Sequence, residues 1–209
     1  TVCTPTRYSI MTGQMAFRLN YPGVFTGVGG PCLITEDQLT LPDMLRQKGY
    51  ETALFGKWHI GMSFLDKNGK VIDVKERPKG IDPDKKINLA LEAVKRVDYT
   101  RPVTDAPIHR GFDHFFGYVD MWHAHNFYPE FLIRNGEVQK LKNEVGAKWK
   151  KFQIPGKPQA GRGVAVKRVE YAPDLFADEV EKFLRENQQE RFFLYYAMNV
   201  PHANNEAGK

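Results

Sequence analysis

The stretch Cys3-Thr4-Pro5-Thr6-Arg7 combines residue types that could do chemistry at a helix start. Pro5 suits the first helical position, where its missing N–H costs nothing, and we predict that Thr4 or Cys3 caps this helix. A helix N-terminus attracts anions, and Arg7 adds a planar cation near the same end. The pattern predicts a sulfur atom beside an oxyanion site, although a small buried cysteine before a turn also fits it.

A lysine and a histidine follow a predicted strand. This strand, residues 50–55, comes after a helix that begins at a Thr40 capping box and ends at Gly49. Ligand sites in α/β sheets lie off the carboxyl ends of strands, and at period two Lys57 and His59 point to the same side. Such a pair suits an anion and proton transfer near neutral pH. For an isolated Lys-x-His, an exposed lysine and a backbone-bonded histidine are the simpler explanation.

His202 has a comparable position further along the chain. Residues 173–187 place apolar side chains on one helical face, and the apolar run 191–200 is typical of a central parallel strand. His202 follows this strand after one proline. A histidine at the carboxyl end of a central strand is in a catalytic location.

Two more histidines, His123 and His125, precede Asn126 in an aromatic segment. A His-x-His pair on a strand can chelate a metal ion. As a loop, the same segment would line a substrate pocket, and we predict that these three residues bind substrate. The run 131–138 that follows predicts a hairpin with an Asn-Gly type I′ turn.

Four stretches together resemble the type I sulfatases, which are arylsulfatase-like enzymes. Residues 3–7 match the pattern Cys-x-Pro-Ser/Thr-Arg, with Thr6 where serine is usual. The Gly-Lys-Trp-His-Ile-Gly stretch at 56–61 resembles the second sulfatase motif, and 111–117 resembles a Gly-Phe-Asp-x-Phe-x-Gly block. The strand followed by Pro-His at 201–202 resembles a fourth element, so the resemblance covers nearly the whole chain.

The resemblance implies an α/β fold, with an alkaline-phosphatase-like mixed sheet sandwiched by helices and incomplete in this fragment. Residues 1–209 would be part of the N-terminal catalytic sulfatase domain, truncated at both ends. Residues 66–101 would be an insertion near the substrate opening. The resemblance also implies a secreted or periplasmic protein, with a signal peptide on a missing N-terminal segment.

Sulfuric ester hydrolysis is the activity that the resemblance implies, on a sulfated small molecule or carbohydrate. Cys3 would be converted to Cα-formylglycine by the formylglycine-generating enzyme, and the hydrated aldehyde would attack sulfur. Lys57, Arg7 and Ca²⁺ would stabilise the oxygens, His202 would act at the leaving oxygen, and His59 would help to expel sulfate. Of the metal ligands, only the residue derived from Cys3 would lie in this chain.

Charge and composition limit the classes of partner that the protein could bind. The net charge of +5 could suit an acidic substrate, but Lys67 and Lys70 alternate with Asp66 and Asp73, so we expect no nucleic-acid partner. No apolar run is long enough to span a membrane. Two cysteines do not make a disulfide framework.

Three other functions fit the residues. The first is a phosphonate or phosphate monoester hydrolase of the same superfold, since those enzymes can share the formylglycine motif. The second is a non-catalytic, sugar-binding relative with an unmodified Cys3. The third is a metal-binding module built on His123 and His125.

Overall fold

A computed structural model of the chain describes residues 2–19, 24, 32–72, 92–147, 163–200 and 202. Seven strands are present in this part of the chain: β1 (Glu51–Lys57), β2 (His114–Tyr118), β3 (Phe131–Arg134), β4 (Glu137–Lys140), β5 (Glu144–Ala147), β6 (Gly163–Lys167) and β7 (Phe192–Ala197). Five of them form one mixed sheet in the order β4-β3-β2-β1-β7, and β5 pairs with β6 in a separate antiparallel ribbon. Strands β2, β1 and β7 are parallel, so their carboxyl ends share one edge.

Short helices surround this sheet. They are α1 (Cys3–Thr12), α2 (Leu41–Arg46), α3 (Met121–Ala124) and α4 (Ala172–Glu186), with 3-10 turns at Ala16–Leu19 and Pro107–Arg110. The predicted capping box of α2 is confirmed, because Thr40 Oγ accepts from Asp43 N at 3.2 Å and the Asp43 carboxylate accepts from Thr40 N at 3.3 Å. In the part of the chain that the structure describes, no helix combines the length and apolar character needed to cross a bilayer.

The core lies on both faces of the large sheet. Alternate residues of β1 point to opposite faces, so Leu54 joins one cluster while Phe55 joins the other. Helix α1 contributes Tyr8 to the first cluster. On the second face, Phe176 and Phe183 of the predicted helix pack edge-on against the sheet. The predicted sheet sandwiched by helices is therefore confirmed.

Two predictions about strands have different outcomes. The hairpin is confirmed, because β3 and β4 pair antiparallel and both Asn135 and Gly136 have positive φ, at 47° and 90°. The sequence predicts that β7 is a central strand. Among the described strands, β7 instead lies at the edge of the sheet and pairs only with β1. Its residues 192–196 are half-buried, and Ala197 is buried.

The predicted insertion at 66–101 is described only at its two ends. Residues 73–91 lie outside the described residues, so the helix expected over 87–97 can be checked only at 92–97. Residues 92–96 are helical, whereas Val97 forms an isolated bridge with Asp66. There Ala93 and Val94 are buried in the core. The role of this segment beside the substrate opening stays a prediction.

A pair of glycines allows β1 and β2 to approach each other next to the site. Gly56 and Gly117 are register partners, and a Cβ on Gly117 would lie 1.7 Å from the Gly56 carbonyl oxygen. We expect Gly117→Ala to lower the free energy of unfolding by at least about 3 kcal/mol, because backbone atoms must shift. The measurement is urea unfolding of the protein made from its complete reading frame.

Gly13→Ala is the control. Gly13 has a φ of +66° but open space around it, so alanine there meets only backbone strain of about 1 kcal/mol. Equal losses in the two variants would contradict the steric account.

Candidate active site

Helix α1 begins at Cys3, two residues before Pro5, which the sequence predicts as the first helical residue. Val2 is at the N-cap position with extended backbone and no side-chain cap, so the prediction that Thr4 or Cys3 caps the helix was wrong. Thr4 is instead buried in the core. Cys3 becomes the first helical residue, in the turn whose N–H groups lack intrahelical acceptors. Its half-buried side chain therefore lies at the positive end of a ten-residue helix.

Arg7 joins this helix to the sheet. Its Nη1 donates to the main-chain carbonyl of Lys57 and, at 3.4 Å, to the hydroxyl of Tyr195. These two acceptors belong to β1 and β7, which are neighbouring parallel strands. The guanidinium therefore holds the first turns of α1 over the carboxyl-terminal edge of the sheet.

Lys57 is the last residue of β1, and only 3% of it is exposed. Its side chain lines the same cavity as Cys3. Burial lowers the pKa of Lys57 below its usual value; the charge of Cys3 opposes this, Arg7 lowers the pKa further, and Asp120 raises it. The result is a buried lysine in the same cavity as the candidate nucleophile.

Two imidazoles complete the pocket. The rings of His125 and His202 have centroids 4.8 Å apart and are tilted by 38°. They face a cavity of about 290 Å³ that also reaches the cysteine, the arginine and the lysine. Its lining residues are Cys3, Arg7, Lys57, Ala124, His125, Met198, Asn199, Val200 and His202. Five of the eight residues predicted from the sequence therefore meet in one cavity.

His59 lies outside that lining. Strand β1 ends at Lys57, and His59 has a positive φ of 62°, so the period-two alternation used to pair the two side chains does not extend to it. The histidine is fully buried, and its backbone N–H donates to Val119 O at 3.0 Å. Positive φ is uncommon for a non-glycine residue and marks a conformation that the surroundings impose.

His123 has a structural position. Its Nδ1 accepts from Val119 N at 3.2 Å, its Nε2 donates to Phe131 O at 2.8 Å, and its ring stacks on Phe131. Asp120 caps helix α3 by accepting from His123 N, which makes the segment helical and not extended. Residues two apart on a helix do not face each other, so His123 and His125 cannot form a strand-type chelating pair.

Asn126 is also fully buried, and its carbonyl accepts from the Tyr118 hydroxyl at 2.9 Å. Neither His123 nor Asn126 lines the cavity. Of the three residues predicted to bind substrate, the structure brings only His125 to the site.

The described part of the pocket does not fit calcium by itself. Calcium prefers six or more oxygen ligands, whereas this lining has no carboxylate and includes the cations Arg7 and Lys57. The described residues also include no group of three or more His, Cys, Asp or Glu side chains that could hold a metal ion. Cys3 alone stays the predicted metal ligand.

Sequence reasoning missed two residues at this edge of the sheet. Asp120 influences Lys57 electrostatically and follows β2, and Asn199 lines the cavity and follows β7. Both are polar residues two positions after the end of a parallel strand. The strand-end rule that selected Lys57 and His202 would have found them too.

Solved structures with the same arrangement of sheet and helices define the fold. A structure from a study of glycosaminoglycan metabolism by Bacteroides thetaiotaomicron aligns with a TM-score of 0.63 at 21% identity, covering 97% of this chain and 42% of that one. The Ps i-CgsB structure in complex with neocarrahexaose aligns with a TM-score of 0.50 at 20% identity, covering 99% and 36%. The predicted alkaline-phosphatase-like α/β fold is confirmed by the first of these neighbours.

Family membership follows from the sequence match. The family model described as Sulfatase matches residues 1–209, so the chain belongs to the sulfatase family. N-acetylgalactosamine-6-O-sulfatase of Bacteroides thetaiotaomicron is 26% identical over 222 residues, which is 95% of this chain and 40% of that protein. Arylsulfatase G of Mus musculus is 41% identical over 61 residues, 28% of this chain and 11% of that protein. The chain spans well under half of these relatives.

The buried histidine next to the site makes stability depend on pH. Burial lowers the pKa of His123 from 6.5 to about 4. Between these values the unfolded chain binds a proton that the folded protein does not, so stability is full above pH 6.5 and is lost as pH falls toward 4, by about 3 kcal/mol. We expect His123→Gln to flatten this slope in urea unfolding from pH 7 to pH 4.

His114→Gln is the matched control, because His114 is 46% exposed and pairs with Glu51 at the surface. An acid slope that survives in His123→Gln, or disappears in His114→Gln, would contradict the assignment.

Proposed function

We propose that this protein hydrolyses sulfuric esters through a formylglycine residue formed from Cys3. The observation that carries the proposal is that Cys3, Lys57, Arg7 and two imidazoles line one cavity. A nucleophile at a helix N-terminus, beside two cations, is suited to an anionic ester. Membership of the sulfatase family supports the same reaction.

When present, the hydrated aldehyde supplies the attacking hydroxyl oxygen and allows sulfate to leave as the carbonyl re-forms. Lys57 and Arg7 bind the sulfate oxygens and stabilise the charge that develops on them. Because Lys57 is buried at the end of a strand, its ammonium is already in position before the reaction, so little free energy is needed to reorient it. Arg7 is fixed by its bonds to Lys57 O and Tyr195.

His202 donates a proton to the leaving ester oxygen or holds it by a hydrogen bond. It lines the cavity, and an imidazole can transfer a proton near neutral pH. His125, which contacts His202, lies where it can meet the organic part of the substrate. His59 keeps the predicted role of assisting sulfate release as part of the proposal, although its buried side chain is not among the described residues that line the cavity.

Calcium is part of the proposal only as the cation that the family resemblance implies. The described pocket supplies too few oxygens for it, so no step is derived through the metal. The proposed maturation partner is the formylglycine-generating enzyme, which would act on Cys3 before folding. Export to the periplasm or the exterior is the proposed location.

A sulfated carbohydrate is the proposed substrate class. The relative that aligns along 95% of this chain is an N-acetylgalactosamine-6-O-sulfatase. In this pocket the apolar side chains of Met198 and Val200 lie beside the two imidazoles. A sugar ring has apolar C–H faces that suit Met198 and Val200, and hydroxyl groups that suit the two imidazoles.

The central test is loss of turnover when the nucleophile is removed. We expect Cys3→Ala and Cys3→Ser to lose sulfate release from an aryl sulfate and from 6-sulfated N-acetylgalactosamine, by at least about 10³-fold. Serine fails because it lacks the second hydroxyl that expels sulfate. The protein from the complete reading frame is coexpressed with the formylglycine-generating enzyme for this assay, and released sulfate is measured.

Cys32→Ser is the matched control, because Cys32 is buried, its pKa is raised to about 12, and it lies outside the cavity. It should keep turnover. Near-normal turnover by Cys3→Ala would contradict the proposal, and phosphate or phosphonate release exceeding sulfate release would favour the phosphoester alternative.

A further inference from the structure

Asn199 links the three elements that surround the imidazole pair. It follows β7, is 4% exposed and lines the cavity. Its side-chain Nδ2 donates to Ala124 O at 3.1 Å, at the end of α3, and to the Tyr118 hydroxyl at 3.3 Å, at the end of β2. One buried amide thus bridges the carboxyl ends of two parallel strands and a helix.

Asn199 also makes hydrogen bonds to the main chain at or next to both histidines. Ala124, which its side chain holds, directly precedes His125. Its backbone carbonyl accepts from His202 N at 2.9 Å. Asn199 is therefore connected to the backbone of each histidine whose rings meet at 4.8 Å.

The partners fix which way the amide points. Ala124 O can only accept, and the Tyr118 hydroxyl donates to Asn126 O, so it accepts from Asn199. Both positions require Nδ2. The other amide atom, Oδ1, is buried and has no hydrogen-bond partner among the residues that the structure describes.

An unpaired buried amide oxygen is unfavourable, and an apolar side chain would avoid it. Asparagine at this position is therefore explained by the two bonds that its Nδ2 donates. Those bonds hold the end of α3 against β2 and β7, at the point where the imidazoles converge.

We propose that Asn199 is a positioning residue that fixes the His125–His202 pair beside Cys3. The proposal rests on the proposed sulfatase activity, in which His202 acts at the leaving oxygen. Because sulfate itself is bound by Lys57 and Arg7, loosening the imidazoles changes the chemical step more than ground-state binding. Asn199 thus affects kcat, with little effect on KM.

The kinetic test compares Asn199→Ala with Asn143→Ala. Asn143 is a matched control, because it is 5% exposed and its side chain also bonds several backbone groups, at Pro129, Val169 and Glu170, away from the cavity. We expect Asn199→Ala to lower kcat about 10- to 100-fold and to change KM less than about threefold. Asn143→Ala should lower the melting temperature and leave kcat per folded molecule unchanged.

Tyr118→Phe is a milder variant for the same test, because it removes one of the two acceptors and keeps Ala124 O. Its kcat should lie between those of wild type and Asn199→Ala. An unchanged kcat in folded Asn199→Ala, or a loss of kcat as large in Asn143→Ala, would overturn the proposal.

A crystal structure of Asn199→Ala separates this proposal from the proposed function. We expect the rings to move beyond the 4.8 Å contact, and rings that keep it would overturn the positioning role. If wild type releases no sulfate, the proposed function fails, and the ring separation alone decides whether Asn199 fixes the pair.

Discussion

The bond from the Arg7 guanidinium to the Lys57 carbonyl is the interaction on which the rest of the site depends. It docks the start of α1 on the carboxyl end of β1, so that a residue on a helix and a residue on a strand meet at one point. Core packing of Tyr8 also fixes α1 on the sheet, and the Arg7 bond adds a polar link next to Cys3. Tyr195 extends the link to β7, the strand that leads to His202.

This geometry places two cations side by side in a cavity that lacks a carboxylate in its described lining. Burial and the charge of Arg7 both lower the pKa of Lys57 and so disfavour its charged form, whereas Asp120 raises that pKa. A bound dianion would raise it further, because its charge is opposite to both groups. Burial of Lys57 therefore favours anion binding, and strand rigidity keeps that preference directed at Cys3.

Local rules predicted local structure well here. The Thr40 capping box and the Asn135-Gly136 turn follow from a few neighbouring residues, and the structure confirms both. Lys57 and His202 were found because strand ends collect ligand-binding residues in α/β sheets. His123 could not be assigned in this way, because its role depends on Asp120 capping a short helix and on a carbonyl in β3. The position of Asn199 after a strand marks it as a site residue, but its bonds to Ala124 and Tyr118 join separate elements and cannot be read from the sequence.

The most direct test of the central claim is mass spectrometry of the peptide that contains Cys3, taken from protein that releases sulfate. The account predicts a peptide lighter by the difference between a thiol and an aldehyde side chain, which reacts with a hydrazine reagent. Cys32 in the same digest should be an intact thiol, as its buried position requires. A fully unmodified Cys3 thiol in protein that turns over a sulfate ester would contradict the account.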